Sequence, residues 1–155
     1  MSISEGAQAP AFSLPASRGR TISSAGLRGR AYVLYFYPKA DTSGCTKEAQ
    51  QFQGAVQEFA RYGCDVIGVS RDSIKTIDKF ASKYSLQFPL ASDEQGDLST
   101  AYGVWVEKSM YGRKYMGIER STYFVGKDGR VRGVWQKVKV DGHADEVLAA
   151  VANAA

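Results

Sequence analysis

The stretch AYVLYFYPKADTSGCTKEAQQFQGAVQEFARYGCDVIGVS, residues 31–70, decides the fold. Its ends, AYVLYFY (31–37) and DVIGVS (65–70), are continuous runs of aromatic and β-branched residues, the pattern of strands buried on both faces. Between them Cys45, Ala49, Phe52, Val56 and Phe59 recur at spacings of four, three, four and three, which puts them on one face of a helix. The stretch therefore predicts a strand-helix-strand crossover.

The flanking sequence extends this unit. Ser73 can cap a helix over 73–84, where Ile74, Ile77, Ala81 and Tyr84 share a face. A short strand is expected around Leu90, after Pro89. RSTYFV and RVRGVWQ flank Lys127-Asp128-Gly129 and predict an antiparallel hairpin. HADEVLAAVANA (143–154) predicts an amphipathic helix. With no internal repeat and no low-complexity segment, the expected fold is α/β, a central mixed β-sheet flanked by helices on both faces.

Composition limits the function classes. The chain has 155 residues, 44% apolar and 23% charged, which suits one compact domain over 1–155. The net charge of +4, from 20 Lys and Arg against 16 Asp and Glu, is spread along the chain. No basic stripe interleaved with aromatics marks a nucleic-acid surface. MSISEGAQAPAFSLP has no leader pattern, and no apolar run approaches the ~18 residues of a membrane span, so a cytoplasmic protein without nucleic-acid or membrane partners is expected. Cys45 and Cys64 are the two cysteines, too few for a disulfide scaffold.

Cys45 falls at or near the start of the first long helix, where unpaired N–H groups and the helix dipole favour a thiolate. Read locally, it could equally be a small hydrophobe opening the core stripe. The surrounding residues separate these readings. Pro38, Thr42 and Cys45 form P-x-x-x-T-x-x-C, which resembles the peroxiredoxin signature, and YFYPKADTSGCTKEA is similar to the bacterioferritin-comigratory-protein, or peroxiredoxin Q, branch. GAQAPAFSLP, GVWVEKSMYGRKYMGIERSTYFV and VKVDGHADEVLAAV extend the resemblance over nearly the whole chain.

The resemblance implies a thioredoxin-like fold and a thiol-dependent peroxidase acting on hydrogen peroxide and organic hydroperoxides, without metal or bound cofactor. It implies Cys45 as the peroxidatic cysteine, Arg120 as a cationic donor and Pro38 as a shield of the pocket. The residues themselves add a physical requirement. A thiol of ordinary pKa is only ~3% ionised at pH 7, so full ionisation raises thiolate by at most about thirtyfold. Further acceleration needs groups that align the peroxide and stabilise the leaving oxygen. Thr42 can supply a hydroxyl and the backbone N–H groups of Gly44 and Cys45 point out of the helix start. Glu48 also fits the family pattern, but a carboxylate near a helix start is common for dipole reasons and is left outside the catalytic set. His143 is expected as a solvated helix-end residue, and Trp105 and Trp135 as packing residues.

The chain departs from the family where the oxidised cysteine is resolved. Gln50 and Ala81 occupy the two common resolving positions. Cys64 lies beyond the helix, roughly 25 Å from Cys45 at ~1.5 Å per residue, whereas a disulfide needs Cα atoms within ~7 Å. Cys64 is expected to be a core residue. A one-cysteine cycle follows, with thioredoxin, glutaredoxin or glutathione as the external thiol, in a monomer or at most a weak dimer. Two rivals are weighed. A thioredoxin-type oxidoreductase needs C-x-x-C, and Glu48 occupies its second position; a non-catalytic redox sensor would keep the fold and react once.

Overall fold

The computed structural model describes residues 3–155; Met1 and Ser2 of the N-terminal stretch, and of the expected 1–155 unit, lie outside the described residues. The elements run β1 (Ser13–Ala16), β2 (Arg20–Ser23), β3 (Ala31–Phe36), α1 (Ser43–Arg61), β4 (Cys64–Ser70), α2 (Ile74–Lys83), β5 (Leu90–Ser92), α3 (Asp97–Ala101), β6 (Trp105–Met110), β7 (Arg113–Ile118), β8 (Ser121–Val125), β9 (Val131–Trp135) and α4 (His143–Ala154).

The quoted stretch forms β3, α1 and β4. The two strands pair in parallel from Ala31 opposite Cys64 to Phe36 opposite Val69, as a crossover helix requires. They centre a seven-stranded sheet of order β2-β1-β5-β4-β3-β8-β9. It is mixed because β4 and β5 are parallel, whereas β8 runs antiparallel to both β3 and β9.

Alternation along β3 builds a core on each face of the sheet. Val33, Tyr35 and Tyr37 meet residues of α1, α2 and α4. Tyr32, Leu34 and Phe36 meet Leu98 of α3 and Ile118 at the base of the β6–β7 hairpin. Tyr35 stacks on Phe52 with centroids 4.5 Å apart. Each such large side chain contributes roughly 1.5–3 kcal/mol on burial. At α2 the expected cap is present, Ser73 Oγ accepting from Thr76 N at 3.2 Å.

Five elements are absent from the sequence expectation: β1 and β2, which form one hairpin, α3, and β6 and β7, which form another. The last is mostly exposed, so its residues lack the apolar runs of a core strand. Its two-residue turn, Tyr111 at φ 53° and Gly112 at φ 76°, matches the positive dihedrals that fit strand twist in a tight hairpin.

The expectation for His143 is corrected. Its side chain is 5% exposed, because α4 packs on α1 and turns this first residue toward the sheet. His143 Nε2 lies 2.8 Å from Thr122 Oγ1, and the ring meets Phe52 and Trp135 edge-on. Burial foremost, followed by opposing effects of Glu146 (upward) and Arg120 (downward), brings its pKa down to about 4. Below pH ~6.5 the unfolded chain takes up a proton that folded His143 refuses. Its contribution to stability is therefore lost as pH falls from about 6.5 toward 4. Denaturant titrations across this range should show a flatter pH slope in His143→Ala, which also loses about 2 kcal/mol at pH 7 through the cavity and the unpaired Thr122 hydroxyl.

Candidate active site

The loop from β3 to α1 is fastened at several points. Tyr37 N donates to Val69 O at 3.0 Å, and Ala40 N to Asp72 Oδ2 at 2.8 Å. Asp41, in the left-handed region at φ 63°, accepts from Tyr84 Oη at 2.6 Å and Lys83 Nζ at 3.0 Å. These bonds, Tyr84 foremost, hold its carboxyl below the usual range. The tether sets where α1 begins and hence where Cys45 lies.

Thr42 is the N-cap residue of α1, but its side chain makes no capping hydrogen bond. Its hydroxyl donates to Lys39 O at 2.8 Å, leaving oxygen lone pairs to accept from a ligand. The Gly44 and Cys45 N–H groups lie in the first turn, where helical amides have no partner within the helix. Pro38 stands half-buried at the start of the loop.

Cys45 is 1% exposed. Arg120, immediately before β8, directs Nη2 to Cys45 Sγ at 3.4 Å and Nη1 to Glu48 Oε1 at 2.7 Å. A Cβ on Gly44 would lie 3.2 Å from that same Nη2, so glycine there leaves room for the guanidinium. Burial opposes the Arg120 charge, yet the combined pull of Glu48 and Cys45 raises its pKa. One guanidinium thus bridges a buried sulfur and a buried carboxylate, a fixed fork suited to Arg and not to Lys.

Sequence reasoning underrated Glu48. It points into the core, 1% exposed, and its Oε2 has no hydrogen-bond partner among the described residues. Burial pushes its carboxyl up to about 7 against the pull of Arg120. A signal was available: Glu48 follows Cys45 by three residues and so sits inside the apolar stripe, where a carboxylate requires a buried cation. No local pattern names that cation, because Arg120 is 72 residues away.

The structure brings Cys45, Gly44 and Arg120 together; Thr42 lies one turn earlier and exposed. Cys64 begins β4, beyond the far end of the 19-residue α1. Both thiols are free, and burial, reinforced by Asp65, pushes Cys64 up to about 12. Gln50 is exposed on α1, and Ala81 is buried on α2. Among the described residues no helix is long and apolar enough to cross a membrane.

A thioredoxin-like sheet with a cysteine in the first turn of the crossover helix and a cation on its sulfur defines a thiol-based oxidoreductase. Comparison narrows the class. The AhpC/TSA family model matches residues 6–134. Peroxiredoxin Bcp of Bacillus subtilis is 43% identical over 148 residues, covering 96% of this chain and 94% of that protein. Peroxiredoxin Bcp of Xanthomonas campestris is 49% identical over 123 residues, 79% of this chain and 77% of that protein. A solved structure of a Xylella fastidiosa PrxQ mutant aligns with TM-score 0.94 at 36% identity, covering 100% of this chain and 99% of that one. A structure of Xanthomonas campestris bacterioferritin comigratory protein, described for alkyl peroxide reduction, aligns with TM-score 0.88 at 43% identity, covering 92% and 91%. The chain belongs to the AhpC/TSA family of peroxiredoxins, which are thiol peroxidases, on its Bcp or peroxiredoxin Q branch.

Proposed function

We propose that Cys45 is the peroxidatic nucleophile of a one-cysteine peroxidase that reduces hydrogen peroxide and organic hydroperoxides. The observation carrying this reading is the 3.4 Å contact of Arg120 Nη2 with Cys45 Sγ, the guanidinium being held from its other side by Glu48 at 2.7 Å. The alkyl peroxide reduction described for the Xanthomonas campestris relative supports the organic branch.

The thiolate attacks the terminal peroxide oxygen. An S–O bond forms, the O–O bond breaks, and the leaving oxygen departs as water or alcohol after taking a proton. Arg120 stabilises the thiolate and the charge on the breaking O–O bond. The Gly44 and Cys45 amides donate to the peroxide oxygens, and Thr42 Oγ1, its own hydrogen donated to Lys39 O, accepts a hydrogen bond from the peroxide hydroxyl. Pro38 shields the pocket. The sulfenic acid is reduced by two equivalents of external thiol, which leave as a disulfide with one water. Thioredoxin, glutaredoxin and glutathione can each supply them. The distance and high pKa of Cys64 argue against its acting as the resolving thiol. We take residues 1–155 as one functional unit, acting as a cytoplasmic monomer or weak dimer.

Reduced protein treated with one equivalent of hydrogen peroxide should gain one oxygen, confined by peptide mapping to the Cys45 peptide. Loss of two hydrogens at unchanged chain mass would assign resolution to Cys64 and overturn the one-cysteine cycle. An unmodified Cys45 would overturn the assignment altogether.

A further inference from the structure

The loop that carries Pro38 and Thr42 hangs on two carboxylates of unequal protection. Past Tyr37 the chain leaves the sheet at a proline, which has no N–H, and Ala40 N then donates to Asp72 Oδ2 at 2.8 Å. The same oxygen accepts from Ser70 Oγ at 2.7 Å, and Asp72 O accepts from Ser92 Oγ at 2.6 Å. Ser70 and Ser92 are buried and face each other in the β4–β5 register. Asp72 is thus built into the carboxyl end of the parallel strands, where α/β sheets hold their sites. Asp41, the next residue of the loop, is held by Tyr84 and Lys83, but its side chain is 42% exposed and water competes for both bonds. The amide of Ala40, a buried residue, has no such replacement for Asp72.

This anchor bears on one group of the site more than on the others. Thr42 Oγ1 takes its orientation from its hydrogen bond to Lys39 O, so the turn 39–42, which Asp72 pins through Ala40, decides where the remaining lone pairs point. Arg120 is supported elsewhere. Its guanidinium is set by Glu48, and its carbonyl accepts from Val138 N, after β9, at 3.0 Å. Cys45 is seated by the core face of α1. The thiolate and the acceptor for the peroxide hydroxyl therefore have separate supports.

Resting on the roles given above to Cys45 and Thr42, we propose that Asp72 is a positioning residue for the peroxide step. It holds the turn 39–42 so that Thr42 Oγ1 meets the peroxide hydroxyl, and it leaves the ionisation of Cys45 to Arg120. Alignment of this kind is steep in distance, a shift of roughly 1 Å costing up to about 10²-fold. Asp72 acts only through the turn, and the chemistry at sulfur is unchanged.

The test sets single-turnover oxidation of the reduced protein by hydrogen peroxide beside the pH profile of Cys45 alkylation by iodoacetamide. Asp72→Ala should slow the peroxide step about 30-fold while the alkylation profile keeps its midpoint. Asp72→Asn, which keeps an acceptor for Ala40 N, should stay within about threefold of the parent. In a Thr42→Val background Asp72→Ala should cost less than about twofold, since both changes act through one hydroxyl. Ser70→Ala, which removes one holder of the carboxylate, should lose about fivefold by the same route, and it takes the place of Asp72→Ala if that variant does not fold. A parent-like peroxide rate in the variant used, a shifted alkylation midpoint, or equal losses with and without the Thr42 hydroxyl overturns the proposal. A parent-like rate in Thr42→Val instead removes the role of Thr42, and an intact protein that does not react with peroxide removes that of Cys45; in either case the proposal falls with it.

Discussion

Cys45→Ser is expected to lower peroxide turnover by at least about 10³-fold while leaving the fold intact. A serine hydroxyl at neutral pH is a far weaker nucleophile than a thiolate. Cys45 fills space at the edge of the core, and serine occupies slightly less of it, so the stability change should be small beside the kinetic one. The measurement is steady-state consumption of hydrogen peroxide with excess dithiothreitol, together with a urea unfolding curve. Turnover within tenfold of the parent would exclude Cys45 as the nucleophile and move attention to Cys64, whose thiol is held protonated at about 12.

Replacement of Arg120 by methionine should cost about 10²-fold in kcat/KM, with a destabilisation whose pH dependence identifies its source. The kinetic loss follows from removing a charged donor 3.4 Å from the sulfur, comparable to deleting one oxyanion-hole donor. The structural loss falls on Glu48. Without Arg120 its carboxylate is buried and unpaired, a defect worth several kcal/mol in a dry interior. Because Arg120 retains some access to water, 17% of its side-chain surface, about 2 kcal/mol is the expected cost at pH 8.

Acidification should relieve that cost. The Glu48 carboxyl already sits at about 7 in the folded protein, burial outweighing Arg120, and losing the cation raises it further. An acid whose folded pKa exceeds its unfolded value, ~4.3 for glutamate, destabilises the fold progressively as pH rises between the two. The difference between Arg120→Met and the parent should therefore widen from pH 6 to pH 8. Arg120→Met combined with Glu48→Gln should recover most of the stability and none of the activity. Joint recovery would mean that the guanidinium acts on the fold rather than on the peroxide.

Local pattern made the central unit legible. Residues 31–37 and 65–70 declare themselves as strands because both faces are buried, and Cys45, Ala49, Phe52 and Phe59 declare a helix because a 3.6-residue period is written into neighbouring residues. The P-x-x-x-T-x-x-C spacing spans one loop and one turn, so its resemblance to peroxiredoxins, and the absence of cysteine at positions 50 and 81, could be read without a fold.

Contacts over long sequence distances could be decided only by the tertiary structure. Glu48 meets Arg120 across 72 residues, and His143 reaches Thr122 because α4 closes onto α1. By itself the sequence determined the crossover unit, the place of Cys45 at the head of its helix and the family that spacing signals, since each depends on neighbours a few residues apart. The pairing of Arg120 with both Cys45 and Glu48 and the burial of His143 came from packing, where the cost of leaving charge buried and unpaired selects partners that no local pattern names.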